Sequence, residues 1–145
     1  MAERRETFER VLAPEPGRTA LVVVDMQRGF LDPGEASAET VPALAPRQGE
    51  IVVRKRGDDA FAGSELDTTL RALNVTSLVV TGTMTDICVL ATVTAALHRQ
   101  YRVTVVEDGV ATLWPEIQRA ALDIIARAYG RVATAKEVVD QISRW

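Results

Sequence analysis

Residues 78–100 read LVVTGTMTDICVLATVTAALHRQ. The segment opens on an apolar, Val-containing run, residues 78–80, and passes through the polar turn TGTMTDIC. It continues as a mostly apolar stretch over residues 86–100. A continuous apolar run without alternation predicts a strand buried on both faces, the pattern of a parallel sheet. The stretch that follows is apolar almost all round, which predicts a helix packed inside the molecule. Strand, turn and helix in this order form the repeating unit of an α/β fold.

Comparable runs lie at residues 20–24 (ALVVV), 51–53 (IVV) and 103–106 (VTVV), with a weaker one at 132–133. Residues 115–129 show a 3.6-residue apolar period, with Pro115 in the first turn and Gly130 just past the end. Residues 136–143 predict a short closing helix. The alternation predicts a three-layer α/β/α sandwich around a mainly parallel sheet. At 145 residues the length suits one domain over 1–145, with 1–18 as an N-terminal arm.

Composition removes several function classes. Residues are 47% hydrophobic and 26% charged, and the net charge is −3, which argues against nucleic acid as a partner. Three Phe, two Trp and two Tyr leave little for base stacking. A single His excludes zinc sites built on two or three imidazoles, so no metal is expected. A single Cys forms no internal disulfide and suits a reducing, cytoplasmic location. The charged start, MAERRETFER, does not read as a secretory signal, and no apolar run is long enough for a membrane helix. No P-loop or GxGxxG is present, so no nucleotide cofactor is expected.

The polar residues that end the apolar runs carry the chemistry. Asp25 ends the first run, Lys55 the second, and Cys88 lies in the turn after the third. Ligands of an open parallel sheet bind at the carboxyl ends of its strands, so these three residues are expected to converge. Cys88 falls in the expected first helical turn, with Thr85 or Asp86 as N-cap candidate. The helix dipole and a nearby lysine both favour a thiolate there. Asp25 can then serve as general base and Lys55 can hold that carboxylate ionised and oriented. Backbone N–H groups at Met84 and Cys88 are candidate oxyanion donors. The competing reading of Cys88 is a small buried hydrophobe.

The strings LVVVDMQRGFLDP (21–33), GEIVVRKRGDDAF (49–61) and TGTMTDICVLATVTAALHRQYRVTVVEDGVAT (81–112) resemble, in order, the motifs of the isochorismatase-like cysteine hydrolases. The resemblance implies a doubly wound α/β fold and an Asp–Lys–Cys triad, here Asp25, Lys55 and Cys88. It implies a cis peptide between Thr83 and Met84 that turns backbone N–H groups toward the substrate carbonyl. Retention of the cysteine implies a cofactor-independent amidohydrolase that cleaves a C–N bond of a small amide, carbamoyl or ureido compound through a thioester. Nicotinamidases of the family carry an Asp-x-His…His metal site that this chain cannot fill; His98 reads as a helix-end residue. Gln27, Phe30, Phe61 and Thr83 are candidate substrate contacts, with structural roles as the alternative. Asp108 reads as a loop or cap carboxylate, and Trp114 as a residue beside the pocket.

The departure from the family lies between Asp25 and Lys55, where a helix, a strand and a loop are missing. The separation of thirty positions from Asp25 to Lys55 still exceeds the roughly 10–12 residues of a minimal crossover. Loss of the helix is expected to uncover one sheet face and to drive homodimer or higher assembly through residues 34–48. Two other functions compete with catalysis. One is a degenerate relative that acts as a binding or assembly subunit without turnover. The other is a redox-sensing thiol domain, weakened by the lack of a resolving cysteine.

Overall fold

The computed structural model describes residues 13–31 and 39–145. Expectations for the arm before residue 13 and for residues 32–38 lie outside them. Among the described residues four parallel strands stand side by side in sequence order: β1 (Thr19–Val24), β2 (Ser77–Thr83), β3 (Arg102–Ala111) and β4 (Arg131–Ala133). The longer helices are α1 (Leu66–Ala72), α2 (Leu90–His98), α3 (Pro115–Ala128) and α4 (Ala135–Ile142); a four-residue helical turn, Arg28–Leu31, and a 3-10 turn, Pro42–Leu44, lie between β1 and α1. A single wide π turn, Thr85–Val89, joins β2 to α2.

Side chains on the two sheet faces build two unequal cores. Ala20, Val22 and Val24 of β1, Leu78 and Val80 of β2, and Val103 and Val105 of β3 pack against Leu66 and Leu70 of α1, Val93 and Ala96 of α2, and Ile125 of α3. On the other face Val79, Val106 and Ala133 meet only Val138 of α4. The layers are therefore three helices, the sheet, and one helix, as the α/β/α expectation requires. Helix α4 is set by a reciprocal cap: the Glu137 N–H donates to the Thr134 hydroxyl while Glu137 accepts from the Thr134 N–H. Such caps stabilise a helix by about 1 kcal/mol. Asp108 accepts from the Ala135 N–H at 2.7 Å, the cap role read from the sequence.

Three differences from the sequence reading have physical causes. Residues 51–53 form no strand. Ile51 and Val52 are exposed, and only Val53 reaches the core, so side-chain anchoring replaces a ladder. Helix α1 was not anticipated, because LDTTLRA offers two core residues in seven and follows a loop without a capping side chain. Neither Thr85 nor Asp86 caps the helix after the turn. Met84 occupies the boundary, its carbonyl accepting from the Ile87 and Val89 N–H groups.

Strand β1 is the edge that lacks cover. Leu21 lies in register with Val79 and Val23 with Thr81, placing both on the face where α4 packs farther along. Leu21 is 65% exposed and Val23 44%. The apolar face expected from the missing helix is thus open among the described residues.

Gly82 sets the approach of β1 to β2. It sits at φ +123, and a Cβ there would lie 1.9 Å from the Val24 carbonyl oxygen. Contact with backbone offers no flexible end to move, so left-handed strain and overlap act together. Gly82→Ala is expected to lower stability by about 3 kcal/mol or more. Urea unfolding of the variant beside Gly57→Ala, where a Cβ would meet nothing within 4 Å, checks this: an unchanged midpoint for Gly82→Ala would show that the two strands can separate at no cost.

Candidate active site

Asp25 follows the last residue of β1 and adopts φ 48, a left-handed conformation that Asp tolerates better than bulky residues do. Its carbonyl accepts from the Thr83 hydroxyl at 2.8 Å, which ties the ends of β1 and β2 together. The Thr83–Met84 peptide is cis, as the motif resemblance implied. Cys88 sits in the π turn and is buried.

Lys55 arrives on an irregular loop that the core holds at several points. Val53 packs against the main core, the Ala60 N–H donates to the Thr92 hydroxyl of α2 at 3.1 Å, and Phe61 is buried. Asp59 accepts from the Phe61 N–H at 2.8 Å, and the Ser64 hydroxyl donates to the Ala60 carbonyl at 2.5 Å. From this loop the Lys55 ammonium reaches Asp25 Oδ2 at 2.8 Å, the Gly57 carbonyl at 2.5 Å and Cys88 Sγ at 3.6 Å. Three donors meet three partners, so the ammonium has no unused proton. The three residues expected to converge do so.

Charge states follow from this geometry. Burial disfavours the Lys55 charge, but the hydrogen bond and attraction to Asp25, with a smaller contribution from Cys88, hold its pKa above the ordinary value. Burial also pushes the Cys88 thiol up, and Asp25 pushes it further by hydrogen bond and charge. Lys55 pulls it down without compensating. The expected bias toward a thiolate meets the opposite balance here, since burial and Asp25 together favour the protonated thiol. Desolvation and Asp25 outweigh the lysine. The arrangement can move a proton from sulfur to carboxylate as the sulfur attacks an electrophile, with the ammonium holding both.

The remaining candidates separate by their surroundings. The Thr83 hydroxyl is engaged by the Asp25 carbonyl. Phe61 stacks on Tyr101, with centroids 5.8 Å apart, and Arg99 lies over its ring; these are core contacts, the alternative reading given for it. Gln27 pairs through its backbone with Thr40, holding residues 39–41 beside the strand end. Met84 is half-buried at the turn. The Phe30 side chain lies outside the described residues. His98 ends α2 and is exposed, ten residues and so about 15 Å of helix from Cys88. Trp114 is exposed ahead of α3. Among the described residues no cluster of three His, Cys, Asp or Glu side chains is placed to hold a metal ion, and no helix is long and apolar enough to cross a membrane.

One neighbour was missed by the sequence reading. Asp58 Oδ1 lies 3.8 Å from Cys88 Sγ, from the loop that delivers Lys55. The available signal was an acidic pair three and four residues after the lysine, in RKRGDD.

A sequence profile described as an Isochorismatase domain matches residues 30–137. The ureidoacrylate amidohydrolase RutB of Variovorax paradoxus is 35% identical over 111 residues, covering 76% of this chain and 44% of that protein. The chain spans about half the length, or less, of the curated relatives it matches first. A cysteine hydrolase from Pseudomonas syringae pv. phaseolicola superposes with TM-score 0.74 and 26% identity, covering 99% of this chain and 78% of that one. An isochorismatase family protein from Burkholderia thailandensis gives TM-score 0.71 and 40% identity over 78% of this chain and 58% of its own.

The thiol provides a direct check on the coupling. Iodoacetamide labelling of Cys88 is expected to keep accelerating well past pH 8.5, about the value of a free cysteine. Asp25→Asn removes an influence that raises the thiol pKa and should move the inflection to lower pH. Lys55→Met removes one that lowers it and should move the inflection up. Inflections that stay in place in both variants would show that the three groups do not interact.

Proposed function

Because the chain belongs to the isochorismatase-like cysteine hydrolase family, we propose that it is a cofactor-independent amidohydrolase acting on a small amide, carbamoyl or ureido compound. The observation that carries this reading is the Lys55 ammonium, 2.8 Å from Asp25 and 3.6 Å from Cys88. The relatives' name, ureidoacrylate amidohydrolase, supports C–N cleavage as the reaction type.

In the proposed sequence Asp25 takes the thiol proton as Cys88 Sγ bonds to the carbonyl carbon. Backbone N–H groups of Met84 and Cys88 receive the developing oxyanion. The intermediate collapses, the C–N bond breaks, and Asp25 returns its proton to the departing amine or ammonia. An acyl or carbamoyl thioester remains. Water, deprotonated by Asp25, attacks it; the C–S bond breaks, the proton passes back to sulfur, and the acid leaves. Lys55 keeps Asp25 ionised before each proton transfer and holds it in position throughout. A protonated resting thiol fits this order of events, because the base acts at the moment of attack. The same raised thiol pKa disfavours the redox-sensor reading, which needs a thiolate.

A binding or assembly subunit without turnover is the second reading. It is favoured by the open face at Leu21 and Val23 among the described residues. Release of ammonia from a panel of small amides, carbamoyl and ureido acids separates the two. Cys88→Ala and Asp25→Ala are expected to reduce turnover by roughly a thousandfold or more, whereas Lys55→Arg retains a measurable fraction. Amidase activity that survives Cys88→Ala intact would refute the mechanism.

We further propose that a second copy of the chain covers the open β1 face, giving a homodimer or higher oligomer in which residues 39–48 lie near the contact. Burying Leu21 and Val23 is favourable at about 25 cal/mol per Å² of apolar area. Sedimentation at micromolar concentration is expected to show an assembly that Leu21→Glu dissociates. A well-folded wild-type monomer would overturn this part of the reading.

A further inference from the structure

The site holds one carboxylate more than the proposed chemistry uses. Asp25 is matched by Lys55 at 2.8 Å. Asp58 Oδ1 stands 3.8 Å from the sulfur, is exposed, and takes part in none of the ion pairs among the described residues. Arg54 and Arg56, its nearest cations in sequence, are exposed on the same loop and do not pair with it. The Asp25 and Lys55 charges offset each other, so Asp58 leaves one negative charge beside the sulfur without a cationic partner among the described residues.

We infer that Asp58 is a specificity-determining residue, which selects neutral or cationic amides and rejects substrates that carry a carboxylate close to the scissile bond. A substrate carbonyl bonded to Sγ brings its flanking atoms within a few ångströms of Asp58. At the edge of a protein such a charge alters encounter and binding several-fold in either direction, according to the sign it meets. Its amide-like donors are also candidates to hydrogen-bond the carboxylate, since an ionised Asp only accepts. The inference deepens the amidohydrolase reading and rests on it for substrates, but the charge at the thiol can be read without turnover.

The first arm of the test labels Cys88 with trimethylammonioethyl methanethiosulfonate and with its anionic sulfonatoethyl analogue. The ratio of the two rates cancels any change in thiol pKa. Asp58→Asn is expected to lower the cation-to-anion ratio by about tenfold at low salt, with less effect as salt rises. Asp59→Asn makes the same charge change one residue away, on a side chain turned to the Phe61 N–H, and is expected to change the ratio far less. A ratio unaltered by Asp58→Asn, or one lowered equally by Asp59→Asn, overturns the inference. The second arm compares kcat/KM for 3-aminopropanamide, butanamide and succinamate. Asp58→Asn should raise succinamate relative to 3-aminopropanamide by a similar factor, and values left in wild-type proportion overturn the inference. No turnover on any amide, together with a shifted labelling ratio, would refute the amidohydrolase reading and sustain the charge at Asp58.

Discussion

An ammonium group buried beside a carboxylate must satisfy three protons, and the Lys55 ammonium satisfies them on three separate parts of the chain: the end of β1, its own loop and the turn before α2. A lysine half removed from water keeps its charge only if such partners are in place. Its loop is therefore held firmly, by Val53 and Phe61 in the core and by the Ala60 N–H on the Thr92 hydroxyl. Asp25 is held equally firmly, through its backbone, by Thr83. The fold positions both ends of the ion pair without using either side chain to do so.

The parallel sheet supplies the place where this can happen. Its strands end together, so Asp25 and the turn after Thr83 emerge side by side. Gly82 permits that closeness by leaving no side chain between β2 and the Val24 carbonyl. The unequal distribution of helices follows from the same chain economy. Three helices bury one face around Val80, Val103 and Val105, while α4 alone serves the other and stops short of Leu21 and Val23. The site lies at a well-packed end of the molecule, and the uncovered apolar surface lies along its edge strand.

Electrostatics around the sulfur separates two tasks that carboxylates can perform. Asp25, paired with Lys55 and largely out of water, favours the protonated form of the thiol. Asp58, exposed and unpaired among the described residues, faces the same atom from the outside. Two carboxylates near one sulfur thus stand in different solvation, one matched by an ammonium and the other exposed.

The residue pattern by itself determined the strands at 20–24, 78–80, 103–106 and 132–133, the amphipathic helix from Pro115 and the closing helix, because burial imposes periodicities that survive in any one sequence. It also determined that Asp25, Lys55 and Cys88 would meet, since each closes an apolar run or follows one. Only the tertiary structure decided that residues 51–53 reach the site without pairing, that α1 forms from a weak local signal, and that Phe61 belongs to the core. It alone placed Asp58 against the sulfur and set burial and Asp25 against the lysine at the thiol. Those outcomes depend on through-space packing, desolvation and charge balance among segments far apart in the chain, which no local pattern encodes.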